Sequence, residues 1–270
     1  MIFFERITYK MVQKKSPMIE KLRRDELVVS TKLNITEPVC AEIAAYSGFD
    51  AVWLDMEHVP SDLQEVKVAF YAAKARGAEA IVRTTRGAYS NLTRPLEFDA
   101  AAIMVPHVMS KQDAEEVAYY TKFHPIGRRP IDGGNGDGMY CLMGAEDYIK
   151  YSNEEKLTII QIEDIEAYEQ LEEIAQVPGI DMLFFGPADF SQSLGMPTNI
   201  ANEKTMEAKR RVAEVARKYG KFAGTVGGPG NMRELYGMGY RLISMGADVV
   251  GLSLYYKDIM DQVTAFRKEI

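Results

Sequence analysis

Residues 157–191 read LTIIQIEDIEAYEQLEEIAQVPGIDMLFFGPADFS, and this stretch decides the fold. Two short apolar runs, Leu157–Ile162 and Met182–Phe185, are typical of buried strands. Between them apolar residues recur at helical spacing until Pro178-Gly179 ends the helix. The order strand, helix, strand predicts two parallel strands that are joined by a crossover helix.

A carboxylate follows each of these two strands. Glu163 comes directly after the first strand, and Asp189 follows the second within Gly186-Pro187-Ala188-Asp189. Adjacent parallel strands lie about 4.8 Å apart, so we expect both carboxylates at one end of the sheet, close enough to share a cation. Two hard oxygen ligands with room for water and substrate favour Mg²⁺ or Mn²⁺. The alternative is that both are loop carboxylates that cap helices.

The same alternation of strands and helices runs through the rest of the chain. Eight strands are predicted, at residues 28–33, 51–55, 80–84, 101–105, 157–162, 182–185, 222–226 and 242–245. Eight such units in about 250 residues predict an α/β fold, the closed (β/α)8 TIM barrel. An open doubly wound sheet is less favoured, because no G-x-G-x-x-G follows the first strand. We expect an N-terminal extension over residues 1–16 and a single catalytic barrel over residues 17–270.

Composition argues against several classes of protein. The 32 Lys and Arg against 39 Asp and Glu give a net charge of −7, which disfavours nucleic-acid and anionic-membrane partners. Cys40 and Cys141 have no metal-ligand spacing and fit a reducing compartment. The first fifteen residues, MIFFERITYKMVQKK, mix charges with apolar residues and match neither a signal peptide nor a membrane span. A cytoplasmic protein is the expectation.

Glycines are concentrated in one segment, residues 124–143. It contains five glycines and two prolines. Such a segment predicts either a mobile loop over an active site or a plain flexible excursion.

Polar residues collect where the predicted strands end, and catalytic groups of such barrels lie at the carboxyl ends of the strands. Arg83 offers N–H donors that match a carboxylate or enolate oxygen. His58 can move a proton near neutral pH, and Asp55, three residues earlier, can orient its ring. The alternative for His58 is a non-catalytic histidine that hydrogen-bonds to the backbone, and the alternative for Arg83 is a structural salt bridge. With a cation at Glu163 and Asp189, these groups fit enolate chemistry on a 2-oxo acid.

Short motifs occur along the chain in an order typical of one family. They are Leu54-Asp55-Met56-Glu57-His58, Ile81-Val82-Arg83, Val105-Pro106, Gln161-Ile162-Glu163 and Phe185-Gly186-Pro187-Ala188-Asp189-Phe190-Ser191. In addition, Lys122-Phe123-His124-Pro125-x-Gly127-x-Arg129 is similar to a Tyr-Pro-Pro-x-Gly-x-Arg loop. From about Pro17 onwards the chain resembles the HpcH/HpaI aldolases, which are class II, pyruvate-dependent enzymes.

The resemblance implies a barrel of the phosphoenolpyruvate/pyruvate type in a homo-oligomer, a hexamer whose last helix is exchanged between subunits. It implies a carbon–carbon lyase that cleaves a 4-hydroxy-2-oxo acid to pyruvate, or a similar 2-oxo acid, and an aldehyde. The implied cofactor is a divalent cation, Mg²⁺, Mn²⁺ or Co²⁺.

Residue roles follow from the same resemblance. Glu163 and Asp189 match the metal ligands, Arg83 matches the pyruvate-binding arginine, and His58 with Asp55 matches the acid/base dyad. The family's substrate-binding positions are matched by Gln161, Gly186 and the backbone amides of Ala188 and Asp189. Glu97 aligns with an acidic residue that, in family members, reaches the active site of the neighbouring subunit.

Departures from the family pattern bear on specificity. Lys32 stands where many members have tryptophan, and His107 resembles the Pro-His of the decarboxylating macrophomate synthase branch. Phe98-Asp99 and Arg129-Pro130-Ile131-Asp132 also differ from the usual residues. The alternatives are therefore an oxaloacetate decarboxylase or macrophomate-synthase-like lyase, and a non-catalytic binding or assembly barrel. A Schiff-base aldolase is disfavoured, because neither Lys32 nor Lys221 is expected just past the carboxyl end of a strand.

Overall fold

The computed structural model describes residues 15–270. Of the predicted N-terminal extension, only Lys15 and Ser16 belong to the described residues. Within residues 15–270, no helix combines the length and the apolar character that crossing a bilayer requires.

Eight parallel strands form a closed barrel in which each strand pairs with the next and the last pairs with the first. They are β1 (Val28–Leu33), β2 (Ala51–Asp55), β3 (Glu79–Arg83), β4 (Ala102–Val105), β5 (Leu157–Ile162), β6 (Met182–Phe185), β7 (Phe222–Gly227) and β8 (Leu242–Ala247). The predicted TIM barrel is confirmed.

Helices surround the barrel. They are α1 (Pro17–Arg23), α2 (Pro38–Tyr46), α3 (Leu63–Lys74), α4 (Tyr89–Glu97), α5 (Lys111–Thr121), α6 (Ala145–Glu155), α7 (Ile165–Glu169), α8 (Leu171–Ala175), α9 (Pro187–Ser193), α10 (Glu203–Lys218), α11 (Met232–Met238) and α12 (Asp248–Arg267). The single helix expected after β5 is in fact two, separated at Gln170. The last helix begins six residues before the expected Leu254. The carboxylate of its first residue, Asp248, accepts hydrogen bonds from the backbone N–H groups of Asn34 and Ile35 after β1.

The interior of the barrel follows from the two-residue period of the strands. Alternate strand residues point inward and form an apolar core of Val28, Ala51, Trp53, Ile81, Ala102, Met104, Leu157, Ile159, Met182, Phe184 and Leu242. Met18, Ile19 and Leu22 of α1 pack against this core and close the amino-terminal end of the barrel. The other strand residues face outward and pack under the helices.

The glycine-rich segment 124–143 does not cover the catalytic end of its own barrel. It follows α5, so it lies at the amino-terminal face, where the N–H of Asp137 donates to the carbonyl of Glu97 at 3.1 Å. Arg129 anchors it through bonds to Asp137 (2.7 Å) and Ser152 (2.8 Å). The expectation of a loop over the same barrel's site is therefore wrong, because segments that follow a helix return to the opposite face.

The terminal helix α12 extends from β8 without burying any of its residues. Its exposed apolar side chains are Val250, Leu252, Leu254, Tyr255, Tyr256, Ile259, Met260 and Phe266. The predicted exchange of this helix between subunits stays a prediction.

Candidate active site

Strand periodicity explains why polar groups gather at the carboxyl end of the barrel. The inward positions that continue the apolar layers are occupied by Lys32 on β1, Asp55 on β2, Arg83 on β3 and Gln161 on β5. Gly186 continues the same row just beyond β6. The structure thus brings these predicted residues into one mouth.

Arg83 and Asp55 face each other from paired positions on β3 and β2. Arg83 donates from Nε to Oδ1 of Asp55 at 2.9 Å and from Nη2 to Oδ2 at 2.6 Å. Burial raises the pKa of the Asp55 carboxyl, but the hydrogen bonds from Arg83 and Lys32 outweigh it and hold this pKa well below its usual range. Asp55 is therefore a permanent carboxylate that fixes the plane of the guanidinium.

Lys32 also reaches this carboxylate. Its Nζ lies 2.8 Å from Oδ2 of Asp55, and it is the next-to-last residue of β1. Lys32 is thus not just past the end of a strand, as expected, but its side chain still reaches the mouth of the barrel. Trp53 lies beneath both cations, with its ring centre 5.9 Å from Nζ of Lys32 and 4.8 Å from Cζ of Arg83.

In the loop after β2, Glu57 contacts Arg83, whereas the His58 side chain is exposed. Oε2 of Glu57 lies 2.9 Å from Nη1 of Arg83. The His58 side chain is 56% exposed, and its Nε2 is 3.7 Å from Glu57. Asp55 accepts a hydrogen bond from the backbone N–H of His58 at 3.4 Å, not from the ring. The predicted ring contact between Asp55 and His58 is absent among the described residues, because Arg83 and Lys32 occupy this carboxylate.

Glu163, just past β5, is almost fully buried. Its carboxylate accepts hydrogen bonds from Nε2 of Gln161 at 2.7 Å and from the backbone N–H of His107 at 3.0 Å. Burial raises the pKa of Glu163 to about 7, and the negative charges of Asp189 and Glu57 act in the same direction. The charge of Asp189 therefore disfavours the ionised form of Glu163.

Gly186 is required beside this carboxylate. A Cβ atom at this position would lie 2.5 Å from Oε2 of Glu163, so a larger residue would displace the carboxylate. Asp189 follows in the first turn of α9, which begins directly after Gly186. The short helix expected after Gly186 is present.

His107 belongs to the same cluster. Its Nδ1 lies 2.9 Å from Oδ2 of Asp164, and its Nε2 lies 3.5 Å from Oε1 of Glu57. Burial lowers the pKa of His107, but the bond to Asp164 and the charges of Glu163, Asp164 and Glu57 raise it overall. Its φ of +50° is unusual for a residue other than glycine. Sequence reasoning missed Asp164, although it directly follows Glu163.

Glu97 lies apart from this mouth, in the last position of α4 at the amino-terminal face. Burial raises the pKa of its carboxyl. Its proposed contribution to a neighbouring subunit's site stays a prediction.

One known protein family matches most of this chain. The family model described as HpcH/HpaI aldolase/citrate lyase matches residues 33–253. The chain belongs to this family. The predicted recognition is confirmed, as is the predicted class of enzyme, an aldolase.

Individual proteins are similar to this chain over nearly its whole length. A 2-keto-3-deoxy-L-rhamnonate aldolase of Shigella sonnei (strain Ss046) is 30% identical over 94% of this chain and 93% of that protein. The crystal structure of a family protein from Burkholderia cenocepacia J2315 is 28% identical over 93% of this chain and 100% of that one, with a TM-score of 0.85. The crystal structure of the citrate synthase SbnG is 25% identical over 94% and 98%, with a TM-score of 0.83.

Proposed function

We propose that this chain is a divalent-metal-dependent aldolase that cleaves a 4-hydroxy-2-oxo acid to pyruvate, or a similar 2-oxo acid, and an aldehyde. The observation that carries the proposal is that Glu163 and Asp189 follow the paired strands β5 and β6, at the same end of the barrel as Arg83. A cation held by two carboxylates, together with one arginine, would suit the negative charge of a 2-oxo acid and of the enolate formed from it.

The donor set fits a divalent cation. The charge of Asp189 raises the pKa of Glu163, and the contacts to Glu163 come from Gln161 and His107 rather than from lysine or arginine. A cation bound at Glu163 and Asp189 would relieve this repulsion, and two carboxylates suit Mg²⁺, Mn²⁺ or Co²⁺. When bound, such a cation polarises the oxygens of the 2-oxo acid and stabilises negative charge on them.

Arg83 is suited to hold the substrate carboxylate. A guanidinium has five N–H donors. Three contacts, two to Asp55 and one to Glu57, leave N–H groups on Nη1 and Nη2 for the substrate. Because Asp55 fixes its plane, Arg83 would meet the substrate in a defined orientation.

Further contacts come from Gln161 and the start of α9. Nε2 of Gln161 is bound to Glu163, whereas its buried Oε1 has no hydrogen-bond partner in the protein and can accept from a substrate hydroxyl. The backbone amides of Ala188 and Asp189, in the first turn of α9, are free to donate to a carboxylate.

Proton transfer is assigned to His58. Its exposed ring is not held by Asp55 in the structure, so it can turn toward bound substrate. Asp55 acts in this scheme by ordering the loop, through the N–H groups of Glu57 and His58, and by holding Arg83.

Two features support a homo-oligomer, for which we propose a hexamer. The exposed apolar side chains of α12 could pack against a second copy of the chain, and exchange of this helix between subunits would bury them. Glu97 lies on the face of the barrel opposite the active-site mouth, so it would contribute to the active site of a neighbouring subunit.

Chelation tests this proposal. We expect EDTA to abolish pyruvate release from 4-hydroxy-2-oxo acids, and Mg²⁺, Mn²⁺ or Co²⁺ to restore it. Borohydride with pyruvate should leave no covalent adduct, even though Lys32 lies in the mouth. Activity that survives chelation, together with an adduct on Lys32, would replace the metal mechanism by a Schiff base. Release of CO₂ from oxaloacetate at a higher kcat/KM than any aldol cleavage would favour the decarboxylase alternative.

A further inference from the structure

Polar contacts hold Arg83 along the edges of its guanidinium. Nε and Nη2 donate to Asp55 at 2.9 and 2.6 Å, and Nη1 lies 2.9 Å from Oε2 of Glu57. These contacts lie close to the plane of the guanidinium, because its N–H groups point within that plane. Hydrogen bonds to a carboxylate tolerate a broad range of directions, so they resist tilting of the group only weakly.

The indole ring of Trp53 lies against the face of the same guanidinium. The ring centre is 4.8 Å from Cζ of Arg83. Trp53 precedes Asp55 by two residues on β2, so its side chain points into the barrel directly below that carboxylate. A planar guanidinium stacks on an aromatic ring and is attracted by its π electrons. The ring therefore opposes the tilt that the hydrogen bonds permit.

Trp53 is itself held from the opposite side of the barrel. Phe184 on β6 packs against it edge to face, with ring centres 5.5 Å apart and planes at 79°. Strands β2 and β6 are four positions apart in the ring of eight strands, so this pair spans the interior. Phe184 lies in turn against Gly224 on β7, where a Cβ atom would be 2.6 Å from its Cδ2. The floor of the mouth is thus a tightly packed aromatic pair.

Packing alone does not account for an indole at this position. Nε1 of Trp53 is buried and has no hydrogen-bond partner among the described residues. A buried N–H group without a partner costs free energy, and phenylalanine or leucine would avoid this cost. Indole is, however, the aromatic ring that attracts cations most strongly. The contact with Arg83 supplies a reason for tryptophan that the core does not.

We propose that Trp53 is a positioning residue that sets the tilt of Arg83 and thereby strengthens binding of the 2-oxo acid carboxylate. The inference rests on the proposed function, in which Arg83 holds that carboxylate. Trp53 is 5% exposed and lies beneath the arginine, so it acts through Arg83. The proposed metal ligands, Glu163 and Asp189, follow β5 and β6, so metal affinity should not depend on Trp53.

The competing role for Trp53 is that of a core side chain without influence on the site. Its loss would then lower the free energy of unfolding, and the folded enzyme would bind pyruvate as before. A positioning role instead predicts weaker binding of pyruvate at unchanged affinity for the metal. The Kd of pyruvate and the Kd of Mn²⁺, measured on the same variants, therefore separate the two roles.

Titration calorimetry with Mn²⁺, and then with pyruvate at saturating Mn²⁺, provides both constants. We expect Trp53→Leu to raise the Kd of pyruvate about 3- to 30-fold, the range that corresponds to one cation–π contact, and to leave the Kd of Mn²⁺ unchanged. Trp53→Phe keeps a ring beneath the guanidinium and should retain most of the affinity. Phe70→Leu is the matched control, because Phe70 is a fully buried aromatic residue of α3, outside the barrel. It should lower stability and change neither Kd.

The fluorescence of Trp53 gives a second measurement, because it is the only tryptophan of the chain. The carboxylate of pyruvate would approach Arg83, whose Cζ is 4.8 Å from the indole ring. In the presence of Mg²⁺, pyruvate should therefore change the emission of the wild type, with the Kd that calorimetry gives for the same cation.

Unchanged pyruvate affinity in folded Trp53→Leu would overturn the inference and leave Trp53 as a core side chain. A parallel loss of Mn²⁺ affinity would overturn it as well, since it would show a general disturbance of the mouth. Should Trp53→Leu not fold, emission that does not respond to saturating pyruvate overturns it. Failure of the proposed function looks different. The wild type would then bind no pyruvate, or Arg83→Ala would bind it as tightly as the wild type, and the inference would fall with it.

Discussion

Arg83 and Asp55 are joined by two hydrogen bonds, of 2.9 and 2.6 Å, between neighbouring strands of the barrel. Both side chains are buried, and Lys32 adds a second cation to the same carboxylate. This pair fixes the orientation of the arginine proposed to hold pyruvate, and it removes Asp55 from the ring of His58.

Replacing Asp55 should therefore cost stability. Asp55→Ala leaves Arg83 and Lys32 without their buried partner, and breaking such a pair typically costs about 3–5 kcal/mol. We expect a lower urea midpoint of unfolding. Asp261→Ala, which breaks the exposed pair between Lys257 and Asp261, is the control and should change the free energy of unfolding by less than ~1 kcal/mol. Equal effects of the two substitutions would contradict this account of the buried pair.

Gly186→Ala should weaken metal binding. The added Cβ would lie 2.5 Å from Oε2 of Glu163 and displace the proposed ligand. We expect Mn²⁺ affinity, measured by titration calorimetry, to fall roughly 10- to 100-fold, as for other changes around metal ligands. Gly251→Ala on α12, where a Cβ would meet nothing within 4 Å, is the control. Unchanged Mn²⁺ affinity in Gly186→Ala would argue against Glu163 as a ligand.

The raised pKa of Glu163 predicts a pH dependence of stability in the metal-free protein. Its pKa is about 7 in the folded state against 4.5 for an ordinary glutamate, so the folded state holds a proton that the unfolded state has lost. Stability from this group is complete below about pH 4.5 and is lost as the pH rises toward 7. His107, whose pKa is also raised, acts in the same direction.

Thermal unfolding in EDTA between pH 5 and pH 8 measures this effect. The melting temperature of Glu163→Gln should fall less over this range than that of the wild type. Saturating Mn²⁺ should reduce the fall in the wild type, because the cation replaces the proton. Parallel curves for the two proteins in EDTA would show that Glu163 titrates normally.

The exposed apolar face of α12 predicts its role in assembly. Leu254 and Tyr255 are 61% and 63% exposed. We expect the wild type to be a hexamer by light scattering after gel filtration, and the double variant Leu254→Asp, Tyr255→Asp to give smaller species. Ile200→Asp is the control, since Ile200 is also exposed but lies outside α12. A monomeric wild type would refute the exchange of this helix.

The sequence predicts much of this site because strand periodicity is local. Apolar runs locate the eight strands, and their ends place Asp55, Arg83 and Gln161 together. The same period could have placed Lys32 inside the mouth, since Lys32 shares the parity of Val28 in the core.

Loop positions could not be predicted in the same way. The direction of the His58 ring depends on competition for Asp55 from residues on two other strands. The left-handed backbone of His107, which brings its ring to Asp164, is not signalled by a glycine. The glycine-rich segment 124–143 has a composition that fits either face of the barrel, and its position after α5 decides the face.

Exchange of the C3 protons of pyruvate in D₂O, followed by NMR, tests the central claim most directly, because it needs no aldehyde. We predict exchange in the presence of Mg²⁺ or Mn²⁺, none after chelation, and a large loss in Arg83→Ala and Glu163→Gln at saturating metal. Exchange that persists at full rate in EDTA, or in Glu163→Gln, would contradict a metal-stabilised enolate at this site.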